Sequence, residues 1–144
     1  MPETNIGLKN YQTLLYESIN KVFHMYMAYE LSATDRAKLA RIFPPKFTNF
    51  IGYHCTYKFG VTKDSPLPPD AALRVVGFAS DDSLECLVVD VDGSIRRPDR
   101  GTFHITWSLD RSAGRKPVDS NELLRGGYTA IRPISITATP KFFK

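Results

Sequence analysis

The sequence has few of the residues that cross-link a protein covalently or through a metal, and few long apolar stretches that could anchor it in a membrane. Its two cysteines, Cys55 and Cys86, are too few for a disulfide framework or a zinc knuckle, and both lie in predicted strands, which indicates buried free thiols. No apolar run approaches the roughly 20 residues that cross a bilayer, and residues 1–5 lack the basic and then apolar pattern of a signal peptide. These absences predict a soluble, cytoplasmic protein with no membrane partner.

Charge of one sign is not concentrated in any segment either. The chain carries 19 Lys and Arg against 15 Asp and Glu, a net charge of +4. That balance suits an anionic ligand but lacks the basic tail or face of a protein that coats duplex DNA. The length of 144 residues predicts a single domain over 1–144, with residues 1–20 as an N-terminal arm or short helix.

Strand patterns dominate the rest of the sequence, and helices are few. Short helices are expected at 36–43, where Pro44-Pro45 ends the pattern, and at 119–124. The expected strands, from β-favouring runs bounded by turn residues, are 22–31, 53–59, 73–79, 84–91, 103–109 and 128–139. Pro133 indicates either that the last strand lies at a sheet edge or that its pairing begins after this residue. Because no βαβ alternation occurs, we predict an α+β fold with mostly antiparallel sheets.

Histidine is also scarce, and two of the three histidines occur in the same short pattern. His54 and Thr56 form one His-x-Thr motif, and His104 and Thr106 form the other, each inside a predicted strand. Residues two apart point to the same face of a strand, so each strand presents an imidazole beside a hydroxyl. If the strands are neighbours, these four groups converge on one groove. The alternative is two ordinary strands with half-buried, hydrogen-bonded histidines.

The four groups suit attack at a phosphodiester without a metal or another cofactor. An imidazole holds or releases a proton near neutral pH. One histidine can therefore take a proton from the nucleophile while the other gives one to the leaving group. Threonine hydroxyls can donate hydrogen bonds to the non-bridging oxygens. The sequence predicts His54, Thr56, His104 and Thr106 as catalytic residues and leaves open which histidine is the acid.

The motif pair resembles the signature of the 2H phosphoesterase superfamily, which includes 2′,3′-cyclic nucleotide phosphodiesterases and the so-called 2′-5′ RNA ligases. The resemblance spans residues 22–139, and residues 116–124 resemble the segment after the second motif in some cyclic-phosphodiesterase branches. It implies two sheet lobes in a pseudo-twofold arrangement around a central cleft. It also implies a nucleotide or short RNA substrate, namely a 2′,3′-cyclic phosphate, a 2′-5′ linkage or a cyclic oligonucleotide messenger. Some viral members of the superfamily remove nucleotide signals of antiviral defence.

Further residues around the motifs are candidates for substrate binding. The nearby aromatic residues that could supply rings for base stacking are Tyr53, Phe59, Phe103 and Trp107. By strand parity, Trp107 points away from the histidines, which favours packing in the core. The resemblance implies that Ser120 and Asn121 belong to a substrate loop, and capping of the next helix is their alternative role.

Two other functions fit the same residues. A non-catalytic nucleotide or RNA-end binding domain would keep the cleft without turnover. A metal hydrolase using His54, His104 and Asp110 would leave the threonines without a role, and no metal-ligand spacing is visible. His24 lacks a threonine two positions on, so we expect it to be structural. The sequence indicates no oligomeric state.

Overall fold

The computed structural model describes residues 25–144 of the chain. These residues form two antiparallel sheets and two α-helices, which confirms the α+β fold class. The expected arm or helix at 1–20 and His24 lie outside the described residues. No helix in the described part of the chain is long and apolar enough to cross a bilayer.

The order of the elements follows the predicted order closely up to the final strand. The elements are β1 (Tyr26–Leu31), α1 (Ala33–Ile42), β2 (Asn49–Phe50), β3 (His54–Phe59), β4 (Leu73–Ser80), β5 (Leu84–Val91), β6 (His104–Leu109), a 3₁₀ turn (Arg111–Ala113), α2 (Asp119–Arg125), β7 (Thr129–Ile136) and β8 (Ala138–Phe143). The hydroxyl of Ser32 accepts a hydrogen bond from the Asp35 amide at 3.2 Å and so caps α1, as a residue of its type does at this position.

The strands divide between a three-stranded sheet, in the order β3-β1-β8, and a five-stranded sheet, in the order β2-β6-β5-β4-β7. After β2, the amides of Ile51 and Gly52 still bond to carbonyls of β6. The chain then leaves the larger sheet and enters β3 of the smaller one. Gly52 has a φ of +41°, and a Cβ there would lie 2.3 Å from the Phe50 ring, so only glycine fits this passage. It brings β3 beside β6, one strand from each sheet.

The predicted single strand over 128–139 is wrong, because this segment forms two strands in different sheets. β7 pairs with β4 in the larger sheet, and β8 pairs with β1 in the smaller one. Thr137 lies between them, with its amide bonded to the Asp35 carboxylate and its carbonyl to the Ser32 amide. The alternation of apolar residues continues through this switch, so periodicity alone could not reveal it. Pro133 does lie in an edge strand, as predicted.

The core lies behind β5 and β6, whose residues are buried at every position. Strands covered on both faces carry near-continuous apolar sequence, and β5 fits this pattern. The polar exceptions are bonded: Glu85 accepts from the Ser108 hydroxyl at 2.6 Å and from the Lys46 amide at 2.9 Å. The two central strands therefore form a rigid support for the residues on their cleft side.

Candidate functional site

The two His-x-Thr motifs lie on neighbouring strands from different sheets and line one cleft. His54 and Thr56 come from β3, and His104 and Thr106 come from β6. All four side chains border a cavity of about 300 Å³. The intervening residues, Cys55 and Ile105 among them, are buried in the core, as alternation along a strand requires.

A β-bulge follows the threonine in both motif strands. In the pairing of β3 with β1, Thr56 and Lys58 oppose consecutive residues, so Tyr57 is the extra residue. In the pairing of β6 with β5, Thr106 and Ser108 oppose consecutive residues, so Trp107 is the extra residue. Bulges bend a strand and re-aim its side chains, and they are frequent beside active sites. Each motif is thus His-x-Thr followed by a bulged aromatic residue.

His104 is held in one tautomer by the backbone. Its Nδ1 lies 2.7 Å from the carbonyl oxygen of Thr102. Because a carbonyl only accepts, Nδ1 carries the hydrogen, and Nε2 of the neutral ring keeps its lone pair. Burial lowers the pKa of His104, the bond to Thr102 opposes this, and the nearby Arg97 lowers the pKa further. In the free cleft, His104 is therefore a neutral ring with a proton acceptor.

His54 has a different environment, formed largely by aromatic rings. The ring centroids of Tyr53, Phe143 and Tyr26 lie 4.6, 5.2 and 5.6 Å from that of His54. Burial, and then repulsion from His104 when both rings are protonated, lower the pKa of His54 to about 4, against a smaller opposing effect of Glu30. Nδ1 of His54 is buried and has no hydrogen-bond partner among residues 25–144.

The lack of a partner for Nδ1 within residues 25–144 favours the opposite tautomer in His54. A buried N–H without an acceptor is rarer in proteins than an acceptor without a donor, so Nδ1 of the neutral ring carries the lone pair and Nε2 the hydrogen. Neutral His54 then has a donor at Nε2, and neutral His104 has an acceptor there. The two imidazoles are chemically complementary.

The two threonine hydroxyls are engaged differently. Within the described chain, the Thr56 hydroxyl has no hydrogen-bond partner, so its hydrogen is available to a ligand. The Thr106 hydroxyl lies 3.2 Å from the Pro117 carbonyl and 2.8 Å from the Ser120 hydroxyl. Thr106 must therefore turn its hydrogen from Pro117 to bind a ligand, while Ser120 can still donate to the Thr106 oxygen.

The other residues predicted to bind substrate are only partly brought together. Tyr53 and Asn121 line the cleft, and Tyr53 is 42% exposed. Ser120 is fully buried beneath Thr106. The structure places Phe103 and Trp107 in the hydrophobic core, away from the cavity. The indole Nε1 of Trp107 donates a hydrogen bond to the Phe43 carbonyl at 2.8 Å, so its polar group is satisfied within the core.

Phe59, one of the aromatic residues named from the sequence, lines the cleft together with residues that were not singled out. It faces the cleft because the bulge at Tyr57 reverses the strand alternation beyond it. Tyr26 lies opposite Phe59 across the strand pair, with ring centroids 5.3 Å apart. Arg97 is buried beside the histidines, although the sequence shows it only as one of several basic loop residues. Two sequence features could have distinguished Arg97 from the other basic residues. They are Asp99, two positions on, and the nearby Gly101.

Asp110, the carboxylate considered as a metal ligand, does not line the cleft. Its side chain accepts hydrogen bonds from the amide and hydroxyl of Ser112 and caps the 3₁₀ turn. In the described part of the chain, no three His, Cys, Asp or Glu side chains are grouped closely enough to hold a metal ion.

No protein-family model matches the chain, and comparisons with curated proteins and with solved structures found no significant match. What the cleft can do therefore has to be argued from its own groups. These are a proton acceptor, a proton donor, two hydroxyls, a buried guanidinium and several aromatic rings.

Proposed function

We propose that the protein is a metal-independent phosphodiesterase of the 2H kind that acts on a ribonucleotide. The bond cleaved is a 2′,3′-cyclic phosphate, a 2′-5′ linkage or a linkage in a cyclic oligonucleotide. The observation that carries the proposal is the convergence of both His-x-Thr motifs on one cleft, where the bond from Nδ1 of His104 to Thr102 leaves Nε2 as a proton acceptor. The similar bulges after both motifs support a pseudo-twofold, two-lobed arrangement.

In this proposal, His104 is the general base and His54 is the general acid. Nε2 of His104 takes the proton of the attacking hydroxyl as its oxygen bonds to phosphorus. The bond from phosphorus to the leaving oxygen breaks, and that oxygen takes the Nε2 proton of protonated His54. The hydroxyls of Thr56 and Thr106 hold the non-bridging oxygens. Since the two rings handle both protons, the reaction needs no further proton carrier.

The negative charge of the substrate prepares His54 for this role. A bound phosphodiester is an anion between two imidazoles, and an adjacent anion raises the pKa of an imidazole. Binding therefore offsets the effects that hold the pKa of free His54 at about 4. Protonated His54 forms preferentially when the substrate is in place.

Aromatic rings on the β3 side supply a surface for a base. Tyr53 and Phe59 are 42% and 45% exposed and border the same cavity as His54. A base that stacks on an aromatic side chain gains about 1–3 kcal/mol with little dependence on its identity. These rings support a nucleotide substrate over a simple phosphate ester.

The proposal is tested by turnover in EDTA on a panel of 2′,3′-cyclic mononucleotides, 2′-5′ and 3′-5′ dinucleotides and cyclic di- and trinucleotides. We expect at least one class to be hydrolysed, with products resolved by chromatography. Nucleotide binding without turnover of any class would instead support the non-catalytic binding domain. Turnover that disappears in EDTA and returns with a divalent metal would refute metal-independent chemistry.

The pH dependence of kcat/KM is expected to have its maximum on the acid side of neutrality. The pKa values of both free imidazoles lie below the usual 6.5. Catalysis needs one ring neutral and the other protonated, a condition best met between the two pKa values. Raising the pH further removes the last proton from the pair, which leaves no general acid, so kcat/KM falls.

Because the bound anion raises both pKa values, the profile of kcat should lie at higher pH than that of kcat/KM. Initial rates across the pH range, at low and at saturating substrate, measure the two profiles. A kcat/KM maximum above about pH 7 would contradict this account of the cleft.

A further inference from the structure

A second cavity adjoins the cleft on the side of β6 and α2. Its volume is about 600 Å³. Arg97, Val118 and Asn121 border both cavities, so these three side chains form the boundary between them. A ligand whose phosphate lies between the histidines can therefore extend past Arg97 into the second cavity.

Arg97 is built into the wall between the two cavities. It is only 8% exposed, and its Nε donates to Asp99 Oδ1 at 2.8 Å. The same oxygen accepts from the Gly101 amide at 3.1 Å, which fixes the carboxylate. A Cβ on Gly101 would lie 2.4 Å from Nη2 of Arg97, so the missing side chain makes room for the guanidinium.

Among residues 25–144, the other side-chain donors of Arg97 have no acceptor. Its backbone amide bonds to the Gly101 carbonyl and its Nε to Asp99, while neither Nη group donates a hydrogen bond within this part of the chain. Burying a cation is costly unless it is fully paired. A guanidinium with free donors at the edge of a cleft is suited to a phosphate, whose oxygens match its fork of N–H groups.

The second cavity has mixed charge, unlike a site for a chain of phosphates. Basic and acidic side chains border it in equal number, namely Arg97, Arg100, Arg125, Asp99, Asp119 and Glu122. Carboxylates repel phosphate but accept hydrogen bonds from ribose hydroxyls and from the amino groups of bases. The groups in this cavity therefore fit a nucleoside better than a second run of phosphates.

We propose that Arg97 binds the phosphate of an internucleotide linkage and that the second cavity holds the nucleoside on the leaving side. The substrate is then a linear or cyclic oligonucleotide, with one nucleoside on the aromatic side of the cleft and the next beyond Arg97. This inference rests on the proposed phosphodiesterase function and narrows its substrate class. A nucleoside 2′,3′-cyclic phosphate would leave the second cavity empty.

The first test compares turnover of adenylyl dinucleotides with 2′-5′ and 3′-5′ linkages against adenosine 2′,3′-cyclic phosphate. We expect kcat/KM to be at least about 10-fold higher for one of the dinucleotides, the factor that about 1.4 kcal/mol of added binding provides. Equal efficiency, or preference for the cyclic mononucleotide, would overturn the inference while leaving phosphodiesterase activity established.

A binding experiment tests the second cavity even if no substrate in the panel is turned over. Backbone amide spectra of the His54→Ala/His104→Ala double variant are recorded with the dinucleotides and with AMP. We expect a dinucleotide to shift the amides of Gly101, Leu124 and Arg125, and AMP to leave them in place. Identical shifts with both ligands would refute the nucleoside site, whatever the outcome of the turnover assay.

Arg97→Met removes the guanidinium while keeping an apolar stem, and Arg96→Met is its matched control. Arg96 is exposed and borders a different depression, so it shares only the charge change. Loss of a charged hydrogen bond to the phosphate should raise KM for the dinucleotide by about 10- to 100-fold in Arg97→Met. Arg96→Met should stay within about twofold of the unmodified protein.

Gly101→Ala tests the position of the Arg97 guanidinium by a second substitution. The added Cβ displaces the end of the Arg97 side chain without changing any charge, and the φ of Gly101 lies outside the left-handed region. We expect KM to rise with little change in melting temperature. If Arg97→Met and Arg96→Met change KM equally, Arg97 acts only through net charge and the inference is wrong.

Discussion

Replacing His104 by alanine is expected to lower kcat for phosphodiester cleavage by about 10²- to 10⁴-fold, the range attributed to a positioned acid or base. The backbone of Thr102 fixes Nδ1 of this ring, so Nε2 is the one nitrogen left to take the proton. His54→Ala should lose a similar amount. The double variant should lose much less activity than the product of the two single losses, because the effects of residues that act as a unit are not additive.

His24→Ala is the control for this series, since the third histidine stands outside both motifs. Circular dichroism and thermal melts separate loss of chemistry from loss of fold. Added imidazole should restore part of the activity of His104→Ala, because the vacated space beside Thr102 can hold a free ring. Near-normal turnover in both single variants would show that the histidines do not carry the reaction.

Trp107→Ala is expected to lower the free energy of unfolding by about 3–5 kcal/mol, the cost of deleting a large buried aromatic side chain. Trp107 is fully buried, and its ring centroid lies 4.8 Å from that of Phe50. Its indole also satisfies the Phe43 carbonyl. Trp107→Phe should recover much of the packing, and its KM for substrate should be unchanged.

Tyr53→Ala provides the opposite pattern and serves as the comparison. Tyr53 borders the cleft and is exposed, so its removal should change the free energy of unfolding by at most about 0.5 kcal/mol. If a base stacks on it, KM should rise by about 5- to 100-fold. Urea unfolding and steady-state kinetics measure both quantities. If KM increases as much in Trp107→Phe as in Tyr53→Ala, Trp107 contributes to substrate binding after all.

Strand periodicity explains why the motifs could be placed from the sequence. A period of two is a local property, so it put the imidazole and hydroxyl of each motif on one face and Cys55 and Ile105 in the core. The same rule predicted that Trp107 faces away from the cleft. The bulge at Tyr57 broke the rule without any residue type to mark it, so alternation alone would have placed Phe59 on the core side of β3.

Features that depend on distant segments could not be predicted in this way. The switch at Thr137 needs a carboxylate on α1, more than a hundred positions away in sequence. This is a tertiary contact, and it leaves no periodic pattern in the segment that it affects.

The order of the strands along the chain has a consequence for how the three-stranded sheet forms during translation. Its strands come from three distant parts of the chain, and β8 closes it by pairing with β1, where Lys141 bonds to Glu30 across 111 positions. During translation, β1 and β3 leave the ribosome long before β8 is available. Phe143, which packs against Tyr26 and His54, is the last residue of β8. A nascent chain therefore carries both His-x-Thr motifs while the wall around His54 is still open, and only the synthesis of β8 completes it.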